Sequence, residues 1–244
     1  MLKKTKNSFI KSKNLSNKHL NYFDVYDDLF NSYIDKKIVF VEVGVLNGGS
    51  LFMWRDYFGP KARIIGIDLN PAAKKFEKDG FEIFIGNQEK QKFWDDFYKK
   101  VGTVDILLDD GGHTNNQQTI TTLNSIENIN DDGLLVIEDT HTSYMKEFGN
   151  PSENSFVNFS KKNIDYINFR FPNIGEVKDL FYKNVFSISF FESIICYKIN
   201  RKICKKNIPV KNKGEDLHHK DFRYGNPDKE DSIDELKKAL ETNE

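Results

Sequence analysis

The chain has 244 residues, 38% of them hydrophobic and 14% aromatic, enough apolar material to build one sizeable core with extensions. Charged residues make up 30%, but 36 Lys and Arg against 37 Asp and Glu leave a net charge of -1, so no electrostatic footprint points to a nucleic-acid partner. Two cysteines, Cys196 and Cys204, without a CxxC exclude a disulfide framework and predict a reducing, cytoplasmic setting. The basic N-terminus has no apolar run and predicts no signal peptide. No stretch approaches the roughly 18 apolar residues of a membrane span.

Residues 1 to about 20 are rich in Lys, Asn and Ser and read as a mobile arm. From Tyr22 to Asp35 apolar side chains recur near a 3.6-residue period, which predicts a helix. Five short apolar runs come next along the chain: 38–43, 63–68, 82–86, 104–110 and 133–139. Helical segments alternate with them at 51–58, 71–78, around 93–100 and at 115–128. Continuous apolar runs alternating with helices are the mark of buried parallel strands in an α/β sheet. Two more runs, 185–191 and 194–199, joined by Glu192-Ser193, predict an antiparallel hairpin at a sheet edge. The expected fold is therefore Rossmann-like: a mostly parallel seven-stranded sheet with an antiparallel terminal hairpin and helices on both faces. The expected organisation is an arm and helix over 1–36, a ligand-binding domain over 37–204 and a polar tail over 205–244, with a short helix near 232–240. His218 and His219 fall in that tail and read as solvated surface.

Ligands in open α/β sheets bind beyond the carboxyl ends of the strands. Those ends here carry Glu42-Val43-Gly44, Asp68, Gly86-Asn87-Gln88, Asp109-Asp110 and Glu138-Asp139. The first turn, Glu42 to Ser50, departs from the dinucleotide fingerprint, because Leu46 stands where the second glycine should be. An NAD-dependent oxidoreductase is disfavoured on that ground. The pattern suits a smaller zwitterionic nucleoside ligand: Glu42 to meet an ammonium, glycines for close backbone approach, Asp68 to accept ribose hydroxyls.

Near the fourth and fifth strand ends, Asp110, Glu138 and Asp139 would repel one another without a counter-ion. An all-oxygen set fits a hard divalent cation, Mg²⁺ before Mn²⁺ or Ca²⁺. It does not fit the two-His, one-carboxylate set of an iron hydroxylase. His113, three residues after Asp110, is a candidate general base, since imidazole titrates near neutrality. His141 is a second candidate, and Tyr144 either lines the acceptor pocket or simply packs.

Glu42-Val43-Gly44 through Ser50, followed by Ile67-Asp68, resembles motif I and the ribose-binding acid of class I S-adenosylmethionine (SAM)-dependent methyltransferases. Asp109-Asp110-Gly111-Gly112-His113 and Glu138-Asp139-Thr140-His141-Thr142-Ser143-Tyr144 resemble macrolide sugar O-methyltransferases of the mycinamicin and macrocin type, and the family labelled cephalosporin hydroxylase. The resemblance covers about residues 37–200, and departs at Asn87, where relatives often carry Asp. It implies SAM held by Glu42, Gly44, Asn47, Ser50, Asp68, Gln88 and Asp109. It also implies a metal on Asp110, Asp139 and Glu138, and proton removal by His113. The implied reaction is metal-assisted methylation of a sugar hydroxyl on a nucleotide-linked sugar, a surface glycan or a glycosylated natural product. A catechol-like acceptor and a non-catalytic SAM-binding protein are the other readings, and a homo-oligomer is possible by analogy with relatives.

Overall fold

The structure is a computed structural model that describes residues 4–149, 152–172, 174, 177, 179–215 and 229–241; His218 and His219 lie outside the described residues. Two compact units divide the chain, Met1–Ile208 and Pro209–Glu244. In the second, the described part is dominated by a helix over Lys229–Glu241.

The first unit is built on seven strands: β1 Val39–Val43, β2 Arg63–Asp68, β3 Glu82–Ile85, β4 Val104–Asp109, β5 Ile129–Ile137, β6 Val185–Phe191 and β7 Ile194–Ile199. Their order across the sheet is β3-β2-β1-β4-β5-β7-β6. The first five pair in parallel, whereas β7 runs antiparallel to both β5 and β6. This is the predicted Rossmann-like arrangement with its terminal hairpin. The order reverses between β1 and β4, which opens a crevice at their carboxyl ends.

Helices α1 Thr5–Lys11, α2 Tyr22–Phe30, α3 Gly49–Phe58, α4 Gln91–Val101, α5 Asn115–Ser125, α6 Phe156–Asn168 and α7 Leu180–Asn184 complete this unit. The expected helix at 71–78 is a 3₁₀ segment, Pro71–Asp79, started by the Asn70 side chain accepting from the Ala72 N–H. The sequence reading passes over α6, although Ser155 caps it by accepting from the Asn158 N–H and its apolar residues recur at helical spacing.

Each sheet face carries its own core. On one, α2 and α3 bring Tyr26, Phe30, Trp54 and Phe58 onto Phe40, Ile64, Ile106, Leu108, Leu134 and Val136. On the other lie Trp94, Phe97, Phe156 and Tyr197 with Val41, Ile65, Leu107, Leu135 and Ile137. Fully burying one such large side chain contributes about 1.5–3 kcal/mol. Side chains alternate along a strand, so a residue two positions after Phe40, Leu108 or Val136 emerges on the same face as they do. Glu42, Asp110 and Glu138 therefore lie on the α2/α3 face, while Asp109 turns to the other.

Where the sequence reads as a mobile arm, residues 4–18 pack against the rest of the unit. Helix α1 packs on α3 and α2: Thr5 Oγ1 donates to the Phe23 carbonyl at 3.0 Å and Ser8 Oγ to Asp56 at 2.6 Å. Beyond it, Ser12 Oγ donates to the Gly49 carbonyl at 2.7 Å, and Asn14 Nδ2 to that of Asn47 at 2.8 Å. The arm lies so close that a Cβ on Gly49 would stand 2.5 Å from the Leu15 carbonyl oxygen. No helix among the described residues is long and apolar enough to cross a membrane.

Candidate active site

Two cavities meet at the carboxyl ends of β1 and β4, both lined by Gly44 and Gly111. The smaller, about 140 Å³, is walled by Asp68, Gly86, Asn87 and Gln88. The larger, about 360 Å³, is walled by Asn47, Ser50, Asp110, His113 and Asp139, and by Leu15 to Asn17 of the arm. Gly44 makes the junction possible. Its φ is 92°, and a Cβ there would stand 2.0 Å from the Asp110 carbonyl oxygen.

The expected cofactor residues divide into those that face a cavity and those that support its wall. Asp68 faces the smaller cavity, with Oδ2 accepting from the Val45 and Leu46 N–H groups at 2.9 and 3.0 Å. Gln88 and Asp109 form a buried pair behind the Gly111-Gly112 turn. Gln88 Nε2 donates to Asp109 Oδ2 at 2.9 Å, and its Oε1 accepts from the Gly112 N–H at 3.2 Å. Burial raises the Asp109 pKa, opposed by its hydrogen bonds from Thr121, Gln88 and Gly111. Asp109 thus shapes the loop, and its carboxylate is already fully engaged.

Glu42 is fully buried, accepting from Ser50 Oγ at 2.6 Å and Trp54 Nε1 at 3.0 Å. The ammonium facing it is Lys18 Nζ, at 3.9 Å. The same ammonium lies 2.6 Å from Asp110 Oδ2 and 2.8 Å from Glu138 Oε2, with its side chain only 2% exposed. Glu138 Oε1 accepts from the Tyr26 hydroxyl. The expected trio of Asp110, Glu138 and Asp139 is therefore not assembled as such. Glu138 turns onto Lys18 and Tyr26, while Asp139, whose backbone is left-handed, accepts from Tyr22 one turn earlier on the same helix.

Asp139 meets His113 instead. His113 Nε2 stands 3.4 Å from Asp139 Oδ2, and Asp110, His113 and Asp139 each offer a potential ligand atom within 4.8 Å of the others. His113 and Asp139 both adopt left-handed φ, 59° and 55°, a costly conformation for such residues that clusters at functional sites. Thr142 Oγ1 lies 2.8 Å from the carbonyl oxygens of both, clasping the two turns together. The Tyr22 hydroxyl donates to Asp139 Oδ1 at 2.5 Å and lies 2.8 Å from Ser193 Oγ, itself 2.5 Å from His141 Nδ1. His141 is thus engaged with Ser193, 3.9 Å from Asp139 Oδ1. His19, Asp139 and His141 make a second group of closely spaced potential ligands. Tyr144 is exposed.

Burial raises Glu42 to about 7 and Glu138 to about 8, with Lys18 pulling both down and Asp110 pushing them up. Burial also opposes the Lys18 charge, but Asp110 and then Glu138 hold its pKa well above the ordinary lysine value. A folded pKa above the ordinary 4.5 means the native state keeps protons that the unfolded chain has released. Metal-free protein should therefore lose stability as pH rises from about 5 to about 8 and level off above, in thermal melts with a chelator present. Glu138→Gln should flatten that slope.

Lys18, Tyr22, Tyr26, Thr142 and Ser193 are not singled out by the sequence. A lysine in a Lys- and Asn-rich stretch resembles any solvated lysine. The Tyr22 and Tyr26 rings are legible as one apolar helix face, but not what their hydroxyls reach.

No protein-family model matches the chain. Over 137 residues it is 31% identical to mycinamicin VI 2''-O-methyltransferase of Micromonospora griseorubida, a match covering 52% of this chain and 33% of that protein. Over 154 residues it is 27% identical to 8-demethyl-8-alpha-L-rhamnosyl tetracenomycin-C 2'-O-methyltransferase of Streptomyces olivaceus, covering 59% and 40%. Over 135 residues it is 28% identical to demethylmacrocin O-methyltransferase of Streptomyces fradiae, covering 52% and 34%. The chain thus spans between a third and two-fifths of the length of these relatives. Among solved structures, the MycE methyltransferase in complex with Mg, SAH and mycinamycin VI superposes with a TM-score of 0.73 at 23% identity, covering 90% of this chain and 56% of that one. Strand order, the glycine turn before α3 and these likenesses agree: the chain has the class I methyltransferase fold and resembles, in sequence, the sugar O-methyltransferases of the mycinamicin, macrocin and tetracenomycin kind.

Proposed function

We propose that this protein is a SAM-dependent O-methyltransferase that works with a divalent cation, Mg²⁺ by preference, on a hydroxyl of a sugar attached to a small molecule. The observation that carries the reading is the meeting of Asp110, His113 and Asp139 beside a glycine-lined crevice at the strand ends. The Asp110 and Asp139 carboxylates suit a hard cation and would hold one, with the His113 ring beside the ion and free to take a proton. When bound, SAM supplies an electrophilic methyl group and the cation makes a coordinated hydroxyl more acidic.

The chain's own residues supply the rest. Asp68 and the Gly44 and Gly111 turns hold the nucleoside side of the cofactor, and the Gln88–Asp109 pair keeps that wall rigid. Asn47 and Ser50 line the side toward Asp110. Glu42 acts indirectly, fixing Ser50 and Trp54. His113 takes the acceptor proton at its ring, and Asp139, 3.4 Å away, steadies the imidazolium that results. Tyr22 in turn fixes Asp139, and His141 with Ser193 borders the acceptor side.

Calorimetric titration with S-adenosylhomocysteine, with and without Mg²⁺, tests the cofactor half. Micromolar binding that Asp68→Ala weakens is the expected result, followed by methyl transfer to a glycosylated acceptor. A folded protein that binds no S-adenosylhomocysteine under either condition would overturn the assignment.

A further inference from the structure

The sequence treats the arm as solvated chain, yet it delivers the most buried cation of the site. Residues 12–18 run across the Asn47–Gly49 turn, and Lys18 inserts among acidic groups from three different strand ends. The buried Glu42 and Glu138 and the half-buried Asp110 could not share that space without a positive partner, since an uncompensated buried charge costs several kcal/mol. One ammonium, however, leaves the set acidic. Asp110 Oδ2, its nearest contact at 2.6 Å, belongs to a residue that also stands in the cluster with His113 and Asp139. Lys18 therefore occupies the inner side of the carboxylate pair that a divalent ion would need in order to recruit Glu138. The same segment walls the larger cavity through Leu15, Ser16 and Asn17.

We propose that Lys18 is a built-in cation that exchanges with the divalent metal at Asp110 and Glu138, so that metal entry and the seating of the 12–18 arm are mutually exclusive. This inference rests on the proposed metal site, and it deepens that reading by giving the site a closed, metal-free state. With Lys18 seated, the acidic groups are compensated and the arm covers the cofactor side. With the metal in place, Glu138 keeps its Tyr26 hydrogen bond and turns its other oxygen to the ion, and the arm lifts from the Gly49 turn. Electrostatics favours exchange over co-occupancy, because an ammonium and a divalent ion sharing one carboxylate oxygen repel each other.

Two measurements on the full chain test this, and neither reads methyl transfer. Titration of MgCl₂ by calorimetry should give tighter binding to Lys18→Met than to the unmodified chain, by roughly 5–150-fold if the coupling is of ordinary size. Hydrogen exchange followed by mass spectrometry should show amides of residues 12–19 exchanging faster in the unmodified chain once Mg²⁺ is saturating. Should Lys18→Met fail to fold because its carboxylates are left uncompensated, the second measurement decides alone. Mg²⁺ binding with unchanged arm protection would make Lys18 a permanent structural counter-ion and overturn the proposal. Absence of Mg²⁺ binding would overturn it as well. A chain that shows the exchange but never transfers a methyl group would leave this inference standing and remove the transferase reading.

Discussion

Replacing His113 by alanine is expected to lower turnover by roughly 10²–10⁴-fold at saturating acceptor, with S-adenosylhomocysteine binding unchanged. A sugar hydroxyl is a very weak acid, so transfer of its proton to a positioned base should dominate the barrier. His113 has the placement for it: its ring lies in the larger cavity, 3.4 Å from Asp139 and held there by a left-handed backbone. Single-turnover methyl transfer across pH is the measurement. Loss of the acidic limb of the profile in His113→Ala identifies the base, whereas near-normal turnover would remove His113 from that role.

Asp139→Asn is expected to cost at least as much, through a different route. The amide keeps the side-chain shape and can still accept from Tyr22, but it brings no negative charge to His113 or to a cation. Turnover should fall by roughly 10²–10⁴-fold, and Mg²⁺ binding measured by calorimetry should weaken in the same variant. Because His113 and Asp139 act as one unit, the double variant should be little worse than either single one. Fully additive losses would show that the two residues serve separate steps.

Much of this site can be read from the chain because strand ends are marked twice, by the close of an apolar run and by the polar residue after it. Asp68, Asp110, His113 and Asp139 are placed in that way, and the structure brings the last three together. The placement of Glu138 is legible in part. Counting in twos from Val136 puts Glu138 on the α2/α3 face with Glu42 and Asp110, where the sequence also holds two tyrosines four residues apart on one helix. What counting cannot supply is Lys18. Its partners lie 24, 92 and 120 positions away, and nothing local distinguishes it from Lys11 or Lys13, which stay exposed. Contacts of that separation come from topology, and the order β1-β4-β5 is what gathers the three carboxyl groups under the arm.

The terminal hairpin sets a tolerance on chain length. Since β6 runs parallel to β5 with β7 between them, the two-residue link at Glu192-Ser193 returns to the same end of the sheet as the parallel strands, and Ser193, at φ 62°, arrives within hydrogen-bonding distance of Tyr22 and His141. One inserted residue would displace that hydroxyl by about 3.4 Å, farther than any hydrogen bond can stretch. A loop that looks like a mere connection is thus a measured spacer.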